Sequence, residues 1–155
     1  MMVHFPVADQ IFNLRAAGIS IHNKRVLLCY FEQIKIWSLP GGRCDLGEDS
    51  IAALKRECLE EMNVSVEVTG PAYVMENFFT INDKKYHEIS IAHYMNLPQE
   101  SEFLNMDEFE GVEGNRKLLF KWIEINKLNN YQIQPKALYR ILPRTSRDFC
   151  HIINP

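Results

Sequence analysis

The sequence predicts a layered α/β fold built on a mixed sheet. Three observations carry that expectation. Short apolar runs such as Val26-Leu27-Leu28-Cys29-Tyr30-Phe31 read as buried strands. Residues 51–62 instead place Ile51, Leu54, Cys58 and Met62 at helical spacing. A second helical stretch, 136–142, is bracketed by Pro135 and Pro143. Strands interleaved with two helices favour a layered arrangement.

The bounds agree. A chain of 155 residues, 46% hydrophobic and 24% charged, suffices for one domain over 1–155 with a real core. A formal charge of −3 does not favour a nucleic-acid backbone as partner. The cysteines at 29, 44, 58 and 150 form no Cys-x-x-Cys pair, which argues against a zinc site or a disulfide framework and fits a reducing cytoplasm. No apolar run reaches membrane-spanning length, and the first ten residues do not read as a signal peptide.

The elements follow in order. Residues 13–21 read as a strand, His22-Asn23-Lys24 as a turn, 26–31 as a buried strand and 36–39 as a short extended piece. Pro40-Gly41-Gly42 ends it as a glycine loop. Asp49 or Ser50 caps a helix reaching Met62, and Asn63 suits the left-handed residue that stops it. Its apolar stripe is expected on one side and its carboxylates on the other. Residues 64–68 and 72–79 read as two strands parted by Gly70-Pro71, with a turn over 81–85 and a strand over 86–97. Residues 98–118 read as a long acidic loop and 119–125 as a final strand carrying Trp122 as a core residue.

The chemistry concentrates at the first helix. Glu57, Glu60 and Glu61 stand at i, i+3 and i+4, so they share a face and repel one another unless a cation lies on them. A hard divalent ion such as Mg²⁺ suits oxygen ligands of this kind. A lone Arg-Glu or Glu-Glu pair on a helix is most often a solvated face. Here the whole series Gly42, Glu48, Arg56, Glu57, Cys58, Glu60, Glu61, Asn63, Val64 keeps one spacing.

That series resembles the Nudix box, Gly-x5-Glu-x7-Arg-Glu-apolar-x-Glu-Glu-x-Gly-apolar, over residues 42–64. The chain departs from it twice. Cys58 stands for an aliphatic residue and Asn63 for glycine, and each is a workable substitute. The resemblance to the Nudix hydrolases, of the MutT-like kind, implies an α/β/α sandwich with a mixed sheet. It implies hydrolysis of a nucleoside diphosphate linked to another group, with Mg²⁺ or Mn²⁺ as cofactor. Glu57, Glu60 and Glu61 become metal ligands, with a Gly41 or Gly42 carbonyl as a further oxygen. Arg56 becomes the partner of Glu48, a contact that lysine could not make bidentately. The partner is a nucleotide-like small molecule, with neither nucleic acid nor membrane expected. Dimers are frequent in the family, which leaves a homodimer open.

Outside the box the candidates compete with ordinary surface roles. A catalytic base could come from Glu76 or Glu88, which pairing about the 81–85 turn would bring near each other. Asp107, Glu108, Glu110 and Glu113 are rival loop acids. Arg15 is a candidate phosphate contact. Phe79 is a candidate stacking residue among Tyr30, Phe31, Trp37, Phe78 and Tyr86. His87 reads as a sheet-face or surface histidine. Markers that the family carries for ADP-ribose, dinucleoside polyphosphate and coenzyme A substrates are not at their places. The expectation therefore leans to a nucleoside triphosphate pyrophosphohydrolase. A sugar-nucleotide (ADP-ribose-type) hydrolase and a nucleotide-sensing domain that does not hydrolyse are the alternatives.

Overall fold

The computed structural model describes residues 1–155, apart from the side chains of Pro71 and Ala72. Eleven strands are named in chain order: β1 (His4–Val7), β2 (Gln10–Ile19), β3 (Ile21–His22), β4 (Arg25–Phe31), β5 (Ile36–Ser38), β6 (Gly41–Arg43), β7 (Glu67–Ile81), β8 (Lys84–Asn96), β9 (Glu108–Glu113), β10 (Arg116–Glu124) and β11 (Cys150–Asn154). Helix α1 spans Ser50–Met62 and the one-turn helix α2 spans Leu138–Ile141.

Two sheets form. One runs β1-β2-β8-β7-β11 with β6 added beside β2. The other runs β3-β4-β10-β9 with β5 beside β4. The first is mixed, because β2 pairs with β8 and β11 with β7 in parallel, while β7 and β8 form an antiparallel hairpin. Its central strands β2 and β8 are buried on both faces over residues 16–19 and 92–95. Ala17, Ile19, Ala92 and Tyr94 pack with Leu138 and Ile141 of α2. Ala16 and Met95 pack on the other side with Leu54, Cys58 and Met62 of α1. The antiparallel sheet divides likewise, with Val26 and Leu28 in the first cluster and Leu27 and Cys29 in the second. Helices thus flank strands on both sides, giving the α/β/α sandwich with a mixed sheet.

Helix α1 begins where Asp49 accepts hydrogen bonds from the backbone N–H of Ile51 and Ala52 at 2.9 and 2.8 Å. It stops at Asn63, which is left-handed at φ 54° and donates its N–H to the Leu59 carbonyl at 3.0 Å.

Several sequence expectations change. The strands at 64–68 and 72–79 are one strand, β7. The break expected at Gly70-Pro71 is an irregularity between Thr69 and Ala72, where Gly70 takes φ 73° and the pairing with β8 resumes. The acidic loop 98–118 contains a short 3-10 turn, Glu102–Asn105, and strand β9, whose acids hid its alternation of Phe109 and Gly111 inward. The first strand starts earlier, and β1 and β11 were not foreseen. Both lie at the edges of the mixed sheet, where a strand needs little apolar content. The closing helix shrinks to one turn. Ile51 is 43% exposed and lies outside the apolar stripe. Its place in the buried seam is taken by Glu57 and Glu61, each under a tenth exposed. The carboxylates therefore do not all lie on the side away from the core. Leu54, Glu57, Cys58 and Glu61 are the i, i+3, i+4, i+7 row that faces inward.

Leu54 is fully buried between α1 and the sheet. Leu54→Ala is expected to lower stability by about 2–5 kcal/mol, the range for a buried leucine cavity. Urea unfolding checks this, with a lower midpoint and an unchanged slope as the expected result.

Candidate active site

The site assembles from β6, the 44–49 turn and α1. β6 pairs with β2 so that Gly42 lies opposite Ala16, on the face that α1 covers. A Cβ on Gly42 would collide with the Glu57 carboxylate, and one on Gly41 with the Ala16 carbonyl. The glycine loop expected here is therefore a short strand whose missing side chains let the helix acids come down onto backbone.

Arg56 ties these parts together. Its Nε donates to Glu48 Oε1 and its Nη2 to Glu48 Oε2, both at 2.9 Å, a bidentate pair. Nη2 also reaches the Arg43 carbonyl at 3.0 Å. Nη1 donates to Glu57 Oε1 at 2.8 Å and Glu60 Oε2 at 3.2 Å. Glu48 in turn accepts the Asp45 N–H at 2.9 Å, which closes the turn. This bonding holds the Glu48 carboxyl below the usual value of 4.5, chiefly through the Arg56 hydrogen bond, and holds Arg56 firmly protonated.

The other acids are placed differently. Glu57 is buried, and its carboxyl is pushed up by loss of solvent although Arg56 pulls it down. Glu61 is pushed up to about 8, first by burial and then by the charge of Glu57. Glu61 receives no side-chain hydrogen bond or ion pair among the described residues. Glu60 stands exposed at the rim. Two buried carboxylates side by side, one of them unpaired, form an oxygen donor set short of positive charge. That chemistry fits a hard divalent cation. Among the described residues no three such side chains already converge on one point, since Glu57 and Glu60 both turn to Arg56.

Arg15 reaches the same region from β2. It donates to the Leu39 carbonyl at 3.0 Å, lies over the Phe31 ring at 5.6 Å from its centroid, and its charge is felt by both Glu57 and Glu61. Phe79 stacks on Tyr86 with centroids 5.0 Å apart and planes 9° from parallel. Both sit toward the hairpin end of the mixed sheet.

Glu76 and Glu88 do not come together. Glu76 lies opposite Ile89 and Glu88 opposite Asn77, so a one-residue offset sends the two acids to opposite faces. Glu76 pairs with His151 at 2.7 Å on the exposed side. Glu88 is buried between Asn13 and Asn77. Neither asparagine stands out in the sequence. The signal available was a polar residue at an inward position of an otherwise apolar alternation, but it needed the strand register. The rival acids are accounted for as surface pairs, Asp107 with Arg25, Glu108 with Lys121, Glu110 with Lys117 and Glu113 with Arg116. His87 lies in the sheet face between the Phe12 and Phe78 rings.

Comparison with known proteins agrees with this geometry. The family profile described as the NUDIX domain matches residues 13–144. The fold is similar to that of a NUDIX family hydrolase from Clostridium perfringens, at 18% identity and TM-score 0.59, covering 84% of this chain and 91% of that one. It is also similar to an ADP-ribose pyrophosphatase from Streptococcus suis, at 16% identity and TM-score 0.55, with 90% and 98% covered. A MutT protein from Methanosarcina mazei Go1 matches at 16% identity and TM-score 0.54, with 88% and 94% covered. No curated relative matches significantly. The chain belongs to the Nudix hydrolase family.

The brace has a pH signature. The unfolded Glu48 carboxyl takes up its proton near 4.5, the folded one only at lower pH. Its stabilisation is therefore complete above that value and is lost as pH falls through the folded one. Glu48→Gln is expected to cost about 1–3 kcal/mol at neutral pH, as a broken charge-assisted hydrogen bond does. Urea unfolding of wild type and variant checks this, with the gap between them closing as pH falls below 4.5 and through the lower folded value.

Proposed function

We propose that this chain hydrolyses a pyrophosphate bond in a nucleoside diphosphate linked to another group, with a nucleoside triphosphate as the favoured substrate class. The observation that carries the reading is the Arg56 brace, which holds Glu48, Glu57 and Glu60 around a strand with no side chain at Gly42. A diphosphate carries its charge on oxygens that repel an attacking water. Glu57, Glu60 and Glu61 would hold a divalent cation, Mg²⁺ or Mn²⁺, with a Gly41 or Gly42 carbonyl as a further ligand. When bound, the cation neutralises diphosphate charge and acidifies water. The chain supplies the rest. Arg56 fixes the direction of three carboxylates from one guanidinium. The bare Gly42 backbone lets the Glu57 carboxylate lie directly on the strand, where a side chain would displace it. Arg15, on the other side of the acids, provides a positive charge to orient the phosphate chain.

The setting is consistent with a reducing cytoplasm, since all four cysteines are free thiols. No helix among the described residues is long and apolar enough to cross a membrane.

The test is a nucleotide panel of triphosphates, sugar nucleotides and dinucleoside polyphosphates, with Mg²⁺ or Mn²⁺ and product masses as readout. Turnover of triphosphates that stops with chelator is the expected result. A panel inert with both metals overturns the reading. Glu60→Gln is expected to lower kcat by about 10²–10⁴-fold, the scale of losing one charged group of a preorganised site. Gly42→Ala is expected to lower it comparably by displacing Glu57. Both variants should keep the far-ultraviolet dichroism of the wild type.

A further inference from the structure

Across the mixed sheet, one face carries a row of polar side chains that box chemistry does not use. The register places Asn13 of β2, Glu88 of β8, Asn77 of β7 and Asn154 of β11 side by side. Asn13 Nδ2 donates to Glu88 Oε2 at 2.5 Å, and Asn77 Nδ2 to Glu88 Oε1 at 3.0 Å. The outer ends are held as well. His4 Nδ1 lies 3.4 Å from Asn13 Oδ1, and Asn154 Nδ2 donates to Asn77 Oδ1 at 2.8 Å. Asn13, Glu88 and Asn77 are 5%, 8% and 5% exposed. Burying this many polar groups costs stability that an apolar row would not.

The centre of the row is incompletely used. A carboxylate offers about four lone-pair sites, and the two amides take one on each oxygen. No cation pairs with Glu88 among the described residues. The two amides hold the carboxylate in place and leave each oxygen with acceptor capacity to spare.

The row runs toward Arg15, the candidate phosphate contact. Two residues along each strand on the same face, Arg15 stands opposite Ser90, and Arg15 bonds the carbonyl just before Pro40-Gly41-Gly42. Two residues in the other direction, the stacked Phe79–Tyr86 pair forms an aromatic surface. Charge handling, a hydrogen-bonding carboxylate and flat rings thus follow one another along a single face, in the order in which a nucleotide presents phosphate and base.

Resting on the reading under Proposed function, we infer that Glu88, clamped by Asn13 and Asn77, reads the substrate's nucleobase and selects one with two adjacent N–H donors. Guanine has that edge, with its ring N1–H beside its exocyclic N2–H₂. Adenine and cytosine each set a ring acceptor beside an exocyclic donor, which turns a lone pair toward a carboxylate oxygen. Uracil supplies one ring N–H between two carbonyls. A site built to accept hydrogen bonds rejects analogues that lack the donors, because its own buried acceptor is then left unpaired.

The experiment compares GTP, ITP and ATP with the wild type and with Glu88→Gln. ITP keeps the ring N–H and lacks the amino group. The expected order of kcat/KM is GTP, ITP, ATP, with GTP over ATP by about 10–100-fold, as loss of a good bidentate pair gives. Glu88→Gln presents one donor and one acceptor, so the GTP-to-ATP ratio is expected to collapse toward one or invert. A role in folding alone would lower all three rates together and leave the ratio in place. An unchanged ratio in a folded variant overturns the inference, as does a wild type indifferent to the base. Binding of GMP, IMP and AMP by calorimetry without metal gives a second reading that needs no turnover. A wild type that binds GMP selectively but hydrolyses nothing overturns the proposed activity and supports the base site. One that hydrolyses all three equally and binds all three equally does the reverse. If the variant is unfolded by thermal melting, the wild-type affinities decide, with equal or undetectable binding overturning the inference.

Discussion

Everything at the helix depends on one guanidinium. Arg56 holds the turn by Glu48, the strand end by the Arg43 carbonyl, and the acids by Glu57 and Glu60. The planar fork can do this because its donors diverge at fixed angles. An ammonium could neutralise one carboxylate but could not set the relative orientation of three. The result is a rigid element that ties α1 to the turn and to the end of β6. Without it, Glu57 would have only Gly42 beneath it, and nothing would offset the repulsion among the neighbouring acids in the last turns of α1.

The sheet makes the brace useful. Strand β6 is three residues long, yet its pairing with β2 fixes Gly42 opposite Ala16 under the helix and Arg43 opposite Arg15 on the reverse face. Burial on both faces of β2 pins that register, because a one-residue slip would exchange Ala16 and Ala17 between two different cores. The same constraint places Asn13, Arg15 and Ala17 on one side in sequence. Precision at the acids is thus inherited from packing far from them, in clusters closed by α2 on one side and α1 on the other.

Much of this is legible in the sequence. The box residues are spaced by helix and turn geometry alone, so Glu48, Arg56, Glu57, Glu60 and the stop at Asn63 could be placed from sequence separation. The family profile over 13–144 and the α/β/α sandwich agree with that reading. What depended on long-range pairing was not legible. Glu76 and Glu88 lie twelve residues apart about a turn, and their separation to opposite faces rests on where Asn82 and Asp83 reverse the chain. β9 was hidden because Glu108 and Glu110 alternate with its inward residues and read as loop acidity. β11 was hidden because an edge strand in parallel pairing carries no local turn signal. Ile51 was misplaced for a different reason. Hydrophobicity alone ranked it above two glutamates for the inward face, and the fold preferred the glutamates.

That preference separates function from stability in this helix. An inward row of Leu54, Cys58 and two more aliphatic residues would bury more apolar surface at no charge cost. Instead Glu57 and Glu61 are driven inward, their carboxyls pushed up by lost solvation and that of Glu61 also by the charge of Glu57. Such an arrangement weakens the folded state unless something positive is bound. The row across the sheet follows the same logic, with Glu88 buried against two amides where Met75 and Tyr73 on the same face show that large apolar side chains fit. In both places acids occupy positions that packing alone would assign to hydrocarbon. The two are linked along β2, where Asn13 contacts Glu88 and Arg15 acts on Glu57 and Glu61. A strand whose neighbouring side chains Asn13 and Arg15 serve two separate buried acid sites is under a joint constraint. Its side chains must satisfy a carboxylate at one point and supply charge to others a single pleat away.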